Sequence, residues 1–227
     1  ILMRREDLVL SPAATDILVA RSATDPELQA LLLRRRELEP AHGFVMFWWV
    51  DRECRRRILQ RFSMNRTTIQ DSLQDLYPEV FTDEAPDPIV KEVLIFLDRR
   101  HRPRGANGEI VGMDVVRKTL SYARRHPEPE VIHAVGLIAG VGRELAGRIL
   151  RDAGGEPFAV MCKAVGLSRD DFYAIVARDD DAPKARWLET FDSISRDFSR
   201  AALRYWDWRG NPRILRLTHL LAEGVGV

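Results

Sequence analysis

The residues best suited to binding chemistry lie in a basic stretch that runs from Arg99 to Arg125. It holds eight arginine or lysine residues against two acids, Glu109 and Asp114. Its densest part is a loop with four arginines, namely Arg99, Arg100, Arg102 and Arg104. Because guanidinium groups pair with phosphate and carboxylate groups, the stretch indicates a site for nucleic acid or another acidic ligand. Acids in the preceding segment could instead neutralise it, and Tyr122 is its only aromatic residue that could stack on a base.

Two pairs of tryptophans, Trp48 with Trp49 and Trp206 with Trp208, are the other candidates for an interaction site. Neighbouring residues of one helix point in different directions, so at least one of Trp48 and Trp49 is expected to face another element or solvent. Such side chains either pack between successive helical repeats or anchor a partner protein, since tryptophan is frequent at the energetic centre of protein interfaces.

The sequence contains no motif typical of catalysis, metal binding or cofactor binding. The glycine-rich stretch 136–142 lacks the spacing of a dinucleotide-binding loop, because Leu145 stands where a third small residue is needed. The histidines form no H-E-x-x-H motif, Cys54 and Cys162 form no C-x-x-C motif, and no serine has the surroundings of an activated nucleophile. We therefore expect no catalytic residue, no cofactor and no metal.

The composition is ordinary for a globular protein: 227 residues, 45% apolar, 30% charged and a net charge of +1. Two cysteines make no disulfide framework, which fits a reducing compartment. No signal segment is recognisable and no apolar run is long enough to cross a bilayer, so we expect a cytoplasmic protein without membrane contact. Only four of the 35 basic residues are lysine. We expect the arginines, including the triplets Arg34–Arg36 and Arg55–Arg57, to cover solvated helix faces.

Three prolines at intervals of 14 residues organise the beginning of the chain. They occur in the pairs Ser11-Pro12, Asp25-Pro26 and Glu39-Pro40. Proline suits the first position of a helix, and serine or aspartate before it can cap the free N–H groups. The pattern predicts three short helices, then a fourth capped by Asp51 and a fifth that begins at Asn65. Helices this short are stable only when they stack on neighbours.

A different pattern follows a break in the chain. Residues 78–88 hold three prolines and four acids without apolar periodicity, which indicates a linker. Later, Gly140–Glu144 and Gly166–Asp170 repeat the same order of residue types 26 residues apart, the length of one short helical hairpin. We therefore predict an all-α fold of about 11–13 helices, stacked as hairpins in an α-solenoid or HEAT-like array. The pattern divides the chain into an N-terminal helical repeat region (1–77), an acidic proline-rich linker (78–88) and a C-terminal all-helical region (89–227). The two helical regions could form one superhelix.

Three stretches share a pattern of packing residues with one bacterial family. They are Phe47-Trp48-Trp49 with Arg55–Phe62, the turns and helices between Val131 and Asp179, and the closing Phe191–Arg209 with Tyr205-Trp206. In these stretches the chain resembles the family known as domain of unknown function 2336. The resemblance implies an all-helical protein with HEAT-like repeats toward its N-terminal side and no assigned activity. It carries over no catalytic or binding residue.

These observations lead us to expect a protein that is not an enzyme. We expect a non-catalytic interaction or regulatory scaffold whose partner is another protein, with Trp48, Trp49, Trp206 and Trp208 as candidate contacts. The alternative is the binding of nucleic acid or an acidic ligand through the basic stretch 99–125.

Overall fold

The computed structural model describes residues 7–63, 102–178, 183–207 and 219–220. Over these residues it contains eleven α-helices, one 3₁₀ turn and no β-strand, which confirms the all-α prediction for this part of the chain. None of the described helices combines the length and the apolar character that crossing a bilayer requires. The predicted linker 78–88 and the predicted helix from Asn65 lie outside the described residues.

The described residues belong to two compact units. The first comprises residues 7–63 and 219–220, and the second comprises 102–178 and 183–207. The first unit contains four helices and the 3₁₀ turn, namely α1 (Pro12–Arg21), the turn Ser22–Thr24, α2 (Pro26–Leu32), α3 (Pro40–Met46) and α4 (Arg52–Ser63).

The first three helices begin at the predicted prolines. Ser11 and Asp25 cap α1 and α2 with side-chain oxygens 3.2 and 3.0 Å from a backbone N–H of the first turn. The carboxylate of Asp51 caps α4 in the same way at 2.7 Å. These side chains satisfy N–H groups that have no partner within their own helix, which fixes where each helix starts.

A buried hydrogen bond between side chains joins α1 to α3. The Nε2 atom of His42 lies 2.9 Å from the Oδ1 atom of Asp16, and both side chains are almost fully buried. The Nδ1 atom of His42 accepts the backbone N–H of Glu39 at 3.1 Å. Since Nδ1 is an acceptor, Nε2 carries the hydrogen and donates it to Asp16. This histidine therefore serves the core of the first unit.

The second unit contains seven described helices. They are α5 (Met113–Arg125), α6 (Pro129–Ala139), α7 (Arg143–Arg151), α8 (Glu156–Val165), α9 (Arg169–Val176), α10 (Lys184–Ser193) and α11 (Arg196–Asp207). The central helix is α8, whose residues are all buried except Lys163. It packs against α6, α7, α10 and α11. Trp187 of α10 closes the start of α8, because its indole N–H donates to the carbonyl oxygen of Gly154 at 2.7 Å.

The 26-residue repeat corresponds to two matching helix ends. Gly140 and Gly166 both have the left-handed backbone conformation, with φ of 66° and 91°. After each glycine, the next N–H reaches back to the helix: Val141 donates to Gly136 at 2.9 Å, and Leu167 donates to Cys162 at 3.1 Å. This is the Schellman arrangement, which favours glycine because other residues are strained at positive φ. The next helices, α7 and α9, begin three residues after these glycines.

The prediction that both arginine triplets lie on solvated faces is wrong for one residue of each triplet, Arg35 and Arg55. Arg35 is 7% exposed and donates to Glu37 at 2.7 Å and to the carbonyl oxygen of Leu8. Arg55 is 8% exposed and donates from Nε to the carbonyl oxygen of Phe47 at 3.0 Å. Backbone carbonyls that lack helical partners draw these guanidinium groups inward, whereas the other members of the triplets are exposed.

Candidate functional site

The described cavity in the second unit lies between α5 and α9 and has a volume of about 290 Å³. Six residues line it: Arg117, Lys118 and Ser121 from α5, Ala174 and Ile175 from α9, and Arg178 just after α9. Its polar lining is therefore basic apart from one hydroxyl.

Helical periodicity explains how α5 presents these side chains. Val116, Leu120 and Ala123 are fully buried and form the core side of the helix. Arg117 and Ser121 are four residues apart and share an adjoining side, which faces α9. On α9, Phe172 and Val176 enter the core while the side that carries Ala174 turns toward α5. The apolar pattern of both helices thus fixes the position of the basic residues.

An ion pair between the two helices holds one end of the cavity. The Nη1 atom of Arg117 lies 2.9 Å from the Oδ1 atom of Asp171. The hydroxyl of Ser168, the cap of α9, donates to the other carboxylate oxygen at 2.7 Å. The hydrogen bond from Ser168 and then the one from Arg117 hold the pKa of Asp171 below its ordinary value. Asp171 is therefore ionised at neutral pH and keeps Arg117 in place.

The other polar groups of the cavity have no such partners. The Ser121 hydroxyl is buried, and no described residue forms a hydrogen bond with it. Lys118 and Arg178 are exposed, and neither forms an ion pair with any residue in the described ranges. The cavity lining thus contains three cations and no acid, while Asp171 pairs with Arg117 and Asp114 lies one turn before Lys118.

Exposed apolar side chains are concentrated on the two helices that form this cavity and on the loop before α5. Of the eight large apolar residues exposed within the described ranges, five lie in α5, in α9 or in the loop before α5; they are Ile110, Met113, Val115, Tyr122 and Tyr173. Tyr122 is 49% exposed and its ring stacks on His126 with 4.6 Å between the centroids. Lys118 lies one helical turn from both Val115 and Tyr122. We call this surface the α5–α9 face; it consists of Val115, Arg117, Lys118, Tyr122, Tyr173 and Arg178.

The predicted interaction residues Trp48, Trp49 and Trp206 are not among the residues that line the cavity. Trp48 and Trp49 occupy the turn between α3 and α4 in the first unit, and both are half-buried. The ring of Trp48 meets Phe47 edge-on with 6.0 Å between the centroids. The indole nitrogen of Trp49 is buried and forms no hydrogen bond with a described residue. Trp206 is half-buried on α11, and Trp208 lies outside the described residues.

The arginine-rich loop is only partly described. Arg99 and Arg100 lie outside the described residues, and Arg102 and Arg104 are exposed. Arg104 donates to the carbonyl oxygen of Gly108 at 2.7 Å, within a small hairpin closed by a bridge between Arg104 and Ile110. This arginine therefore stabilises its own loop.

Two polar residues of the cavity, Ser121 and Arg178, are not among the site residues predicted from the sequence. Arg117 and Lys118 lie within the basic stretch, but the sequence did not distinguish them from its other cations. The spacing of Arg117 and Ser121 on one helix was visible. Only the packing of α5 against α9 brings Arg178 beside them.

Neither cysteine thiol is activated by its surroundings. Burial raises the pKa of Cys54 to about 11 and that of Cys162 well above its usual range. Both are therefore protonated thiols at neutral pH. No group of three or more His, Cys, Asp or Glu residues within the described ranges could hold a metal ion.

Comparison with known proteins identifies one family. The model of the family described as "Uncharacterised protein conserved in bacteria (DUF2336)" matches residues 1–204. No curated protein and no solved structure matches the chain.

Proposed function

We propose that this chain, which belongs to the DUF2336 family, is a non-catalytic module that binds an acidic segment of another protein on its α5–α9 face. The observation that supports this most is that three cations line one cavity while exposed tyrosines lie on the same two helices. Interfaces favour aromatic and arginine side chains because both bury large surfaces and also form specific polar contacts. An acidic segment supplies the charge that this face lacks.

A protein partner fits this face better than a nucleic acid does. Nucleic-acid binding depends on many cations that follow the phosphate backbone. Here the cations number three, and Asp114, Asp170 and Asp171 carry negative charge on the same two helices. The exposed Val115 and Tyr122 of this face suit apolar contacts with a protein.

Two broader features belong to the same proposal. The first is that the helical hairpins stack in a HEAT-like manner, which the matching glycine turns at Gly140 and Gly166 support. The second is a cytoplasmic location, which the free thiols of Cys54 and Cys162 support because a reducing compartment preserves them.

A comparison of three immobilised proteins tests the binding proposal. They are the unchanged chain, the double variant Lys118→Glu/Arg178→Glu, and the control Arg34→Glu/Arg36→Glu. Both double variants change the net charge equally, and all four positions are exposed. Each is exposed to lysate of the source bacterium after nuclease treatment, and retained proteins are identified by mass spectrometry.

We expect at least one protein to be retained by the unchanged chain and by the control but not by the cavity variant. That protein, once purified, should bind the unchanged chain directly and more weakly at high salt, because exposed charges are screened. If all three baits retain the same proteins, the α5–α9 face is not the binding surface. A parallel set with untreated lysate completes the test, and retention that occurs only without nuclease would favour nucleic acid instead.

A further inference from the structure

We propose that the cavity between α5 and α9 binds a phosphate monoester, whose phosphoryl group contacts Arg117, Lys118, Ser121 and Arg178. This inference rests on the proposed function because it uses the same α5–α9 face. It specifies the chemical group of the ligand that the cavity binds.

The charge of the cavity lining favours a multiply charged anion. Arg117, Lys118 and Arg178 line the cavity, and no acid does. Asp171 pairs with Arg117 and Asp114 lies one turn before Lys118, so these two acids offset the cations only in part. A phosphate monoester carries about −1.5 to −2 charges near neutral pH and therefore interacts with these cations more strongly than a carboxylate does.

The available donors also suit a phosphoryl group, which presents three acceptor oxygens. Arg117 uses Nη1 for Asp171, and no described residue accepts from its other guanidinium nitrogens. Lys118 and Arg178 add an ammonium and a second guanidinium group. Together these cations provide the charge-assisted hydrogen bonds that bind phosphate most strongly.

Ser121 is the observation that separates this cavity from an ordinary basic surface. The residue is 7% exposed, and its hydroxyl has no hydrogen-bond partner among the described residues. A buried hydroxyl without a partner is costly, so native proteins rarely retain one without a reason. A ligand oxygen that enters the cavity would supply the missing partner.

The size and the opening of the cavity fit a phosphoryl group attached to something larger. Its volume of about 290 Å³ lies just below the roughly 300–1,000 Å³ range of ligand pockets. Lys118 and Arg178 are exposed at its edge, so the rest of the ligand can extend over Tyr122. A phosphorylated side chain and a small free phosphate compound both have this chemistry.

Calorimetric titration of the full chain with O-phospho-L-serine, and separately with inorganic phosphate, tests the inference at constant ionic strength. We expect saturable binding that weakens by about tenfold in Arg178→Ala and in Lys118→Ala, as the loss of one charge-assisted contact implies. Arg34→Ala, an exposed arginine of the first unit, is the control and should bind like the unchanged chain. Stronger binding of phosphoserine identifies a phosphorylated side chain as the source, and stronger binding of inorganic phosphate identifies the free anion.

Ser121→Ala separates a ligand-binding hydroxyl from a structural one. We expect weaker phosphate binding with an unchanged or higher Tm, because the native hydroxyl bonds to no described residue. A lower Tm with unchanged binding would show that Ser121 serves the fold and would contradict the inference.

Two results overturn the proposal. One is the absence of binding for both phosphate compounds at millimolar concentration, and the other is equal weakening in Arg178→Ala and Arg34→Ala. Neither result contradicts the proposed function if, in the comparison of immobilised proteins, Lys118→Glu/Arg178→Glu still loses a protein that its control Arg34→Glu/Arg36→Glu retains. Conversely, phosphate binding without a retained protein would leave this inference intact and remove the protein partner.

Discussion

Two pairs of arginines in the second unit differ in what their guanidinium groups contact. Arg124 and Arg200 bind the ends of helices: Arg124 donates to the carbonyl oxygen of Leu150 at 2.7 Å, and Arg200 donates to that of Ala139 at 2.9 Å. Arg117 and Arg178 instead line the open cavity. The same residue type therefore binds helix-end carbonyls at two positions and lines a cavity at two others, where Arg117 also pairs with Asp171.

The difference follows from the last carbonyl groups of each helix. These carbonyls have no partner within the helix and carry the negative end of its dipole, so a cation nearby satisfies both requirements. Arg200 is 1% exposed at the end of α6, and Arg124 lies at the end of α7 with its guanidinium group 4.8 Å above the ring of Trp187. Arg117 instead pairs with Asp171 in the first turn of α9, and within the described residues neither cavity arginine's side chain donates to a helix-end carbonyl.

The largest expected effect is that of Arg200→Met. The variant leaves the carbonyl of Ala139 without this donor inside the core, so we expect it to lower the free energy of unfolding by about 2–4 kcal/mol. The matched change at the cavity, Arg178→Met, should alter it by less than about 0.5 kcal/mol because the residue is exposed. Urea denaturation of the two variants measures both values, and equal losses would remove the distinction between the two kinds of arginine.

Arg124→Met should have the next largest effect. Its guanidinium group donates to two backbone carbonyls and lies over the rings of Phe158 and Trp187. Methionine keeps most of the apolar contact and loses the hydrogen bonds, so we expect a loss of about 1–2 kcal/mol. Thermal and urea denaturation check this value. A loss as small as that of Arg178→Met would show that capping the end of α7 contributes little.

The helix starts could be predicted because their cause is local. Pro12, Pro26 and Pro40 each stand at the first position of a helix, and the caps at Ser11 and Asp25 follow from side-chain chemistry within one turn. The repeated glycine turns were visible for the same reason. Each depends on a backbone conformation that one residue type adopts readily.

The candidate site could not be predicted because its cause is long-range. Whether an arginine is buried depends on a carbonyl supplied by another element, as Arg35 and Arg55 show. The cavity likewise needs Ser121 of α5 and Arg178 after α9, which only helix packing brings together. The sequence therefore predicts the basic stretch 99–125 but not which of its cations line the cavity.

Asp171→Asn changes the charge of the cavity while keeping its shape. The carboxylate pairs with Arg117 and also repels an anion, so the variant should bind phosphate a few-fold more tightly, roughly the effect of removing one like charge near the surface. The same calorimetric titration measures the change. Weaker binding would mean that Asp171 contributes mainly by orienting Arg117.

The pH dependence of stability gives the smallest expected effect. Because the pKa of Asp171 in the folded protein lies below its ordinary value of 3.8, its hydrogen bonds stabilise the fold fully above that value. This contribution is lost as the pH falls through the lowered pKa, since protonation of the folded carboxyl breaks the pairing with Ser168 and Arg117. Asp171→Asn cannot titrate, so the difference in unfolding free energy between it and the unchanged chain should shrink below about pH 4. The side chain is 29% exposed, which screens the interaction and keeps the effect small. Parallel curves for the two proteins down to acid pH would show that Asp171 is not held ionised by these partners.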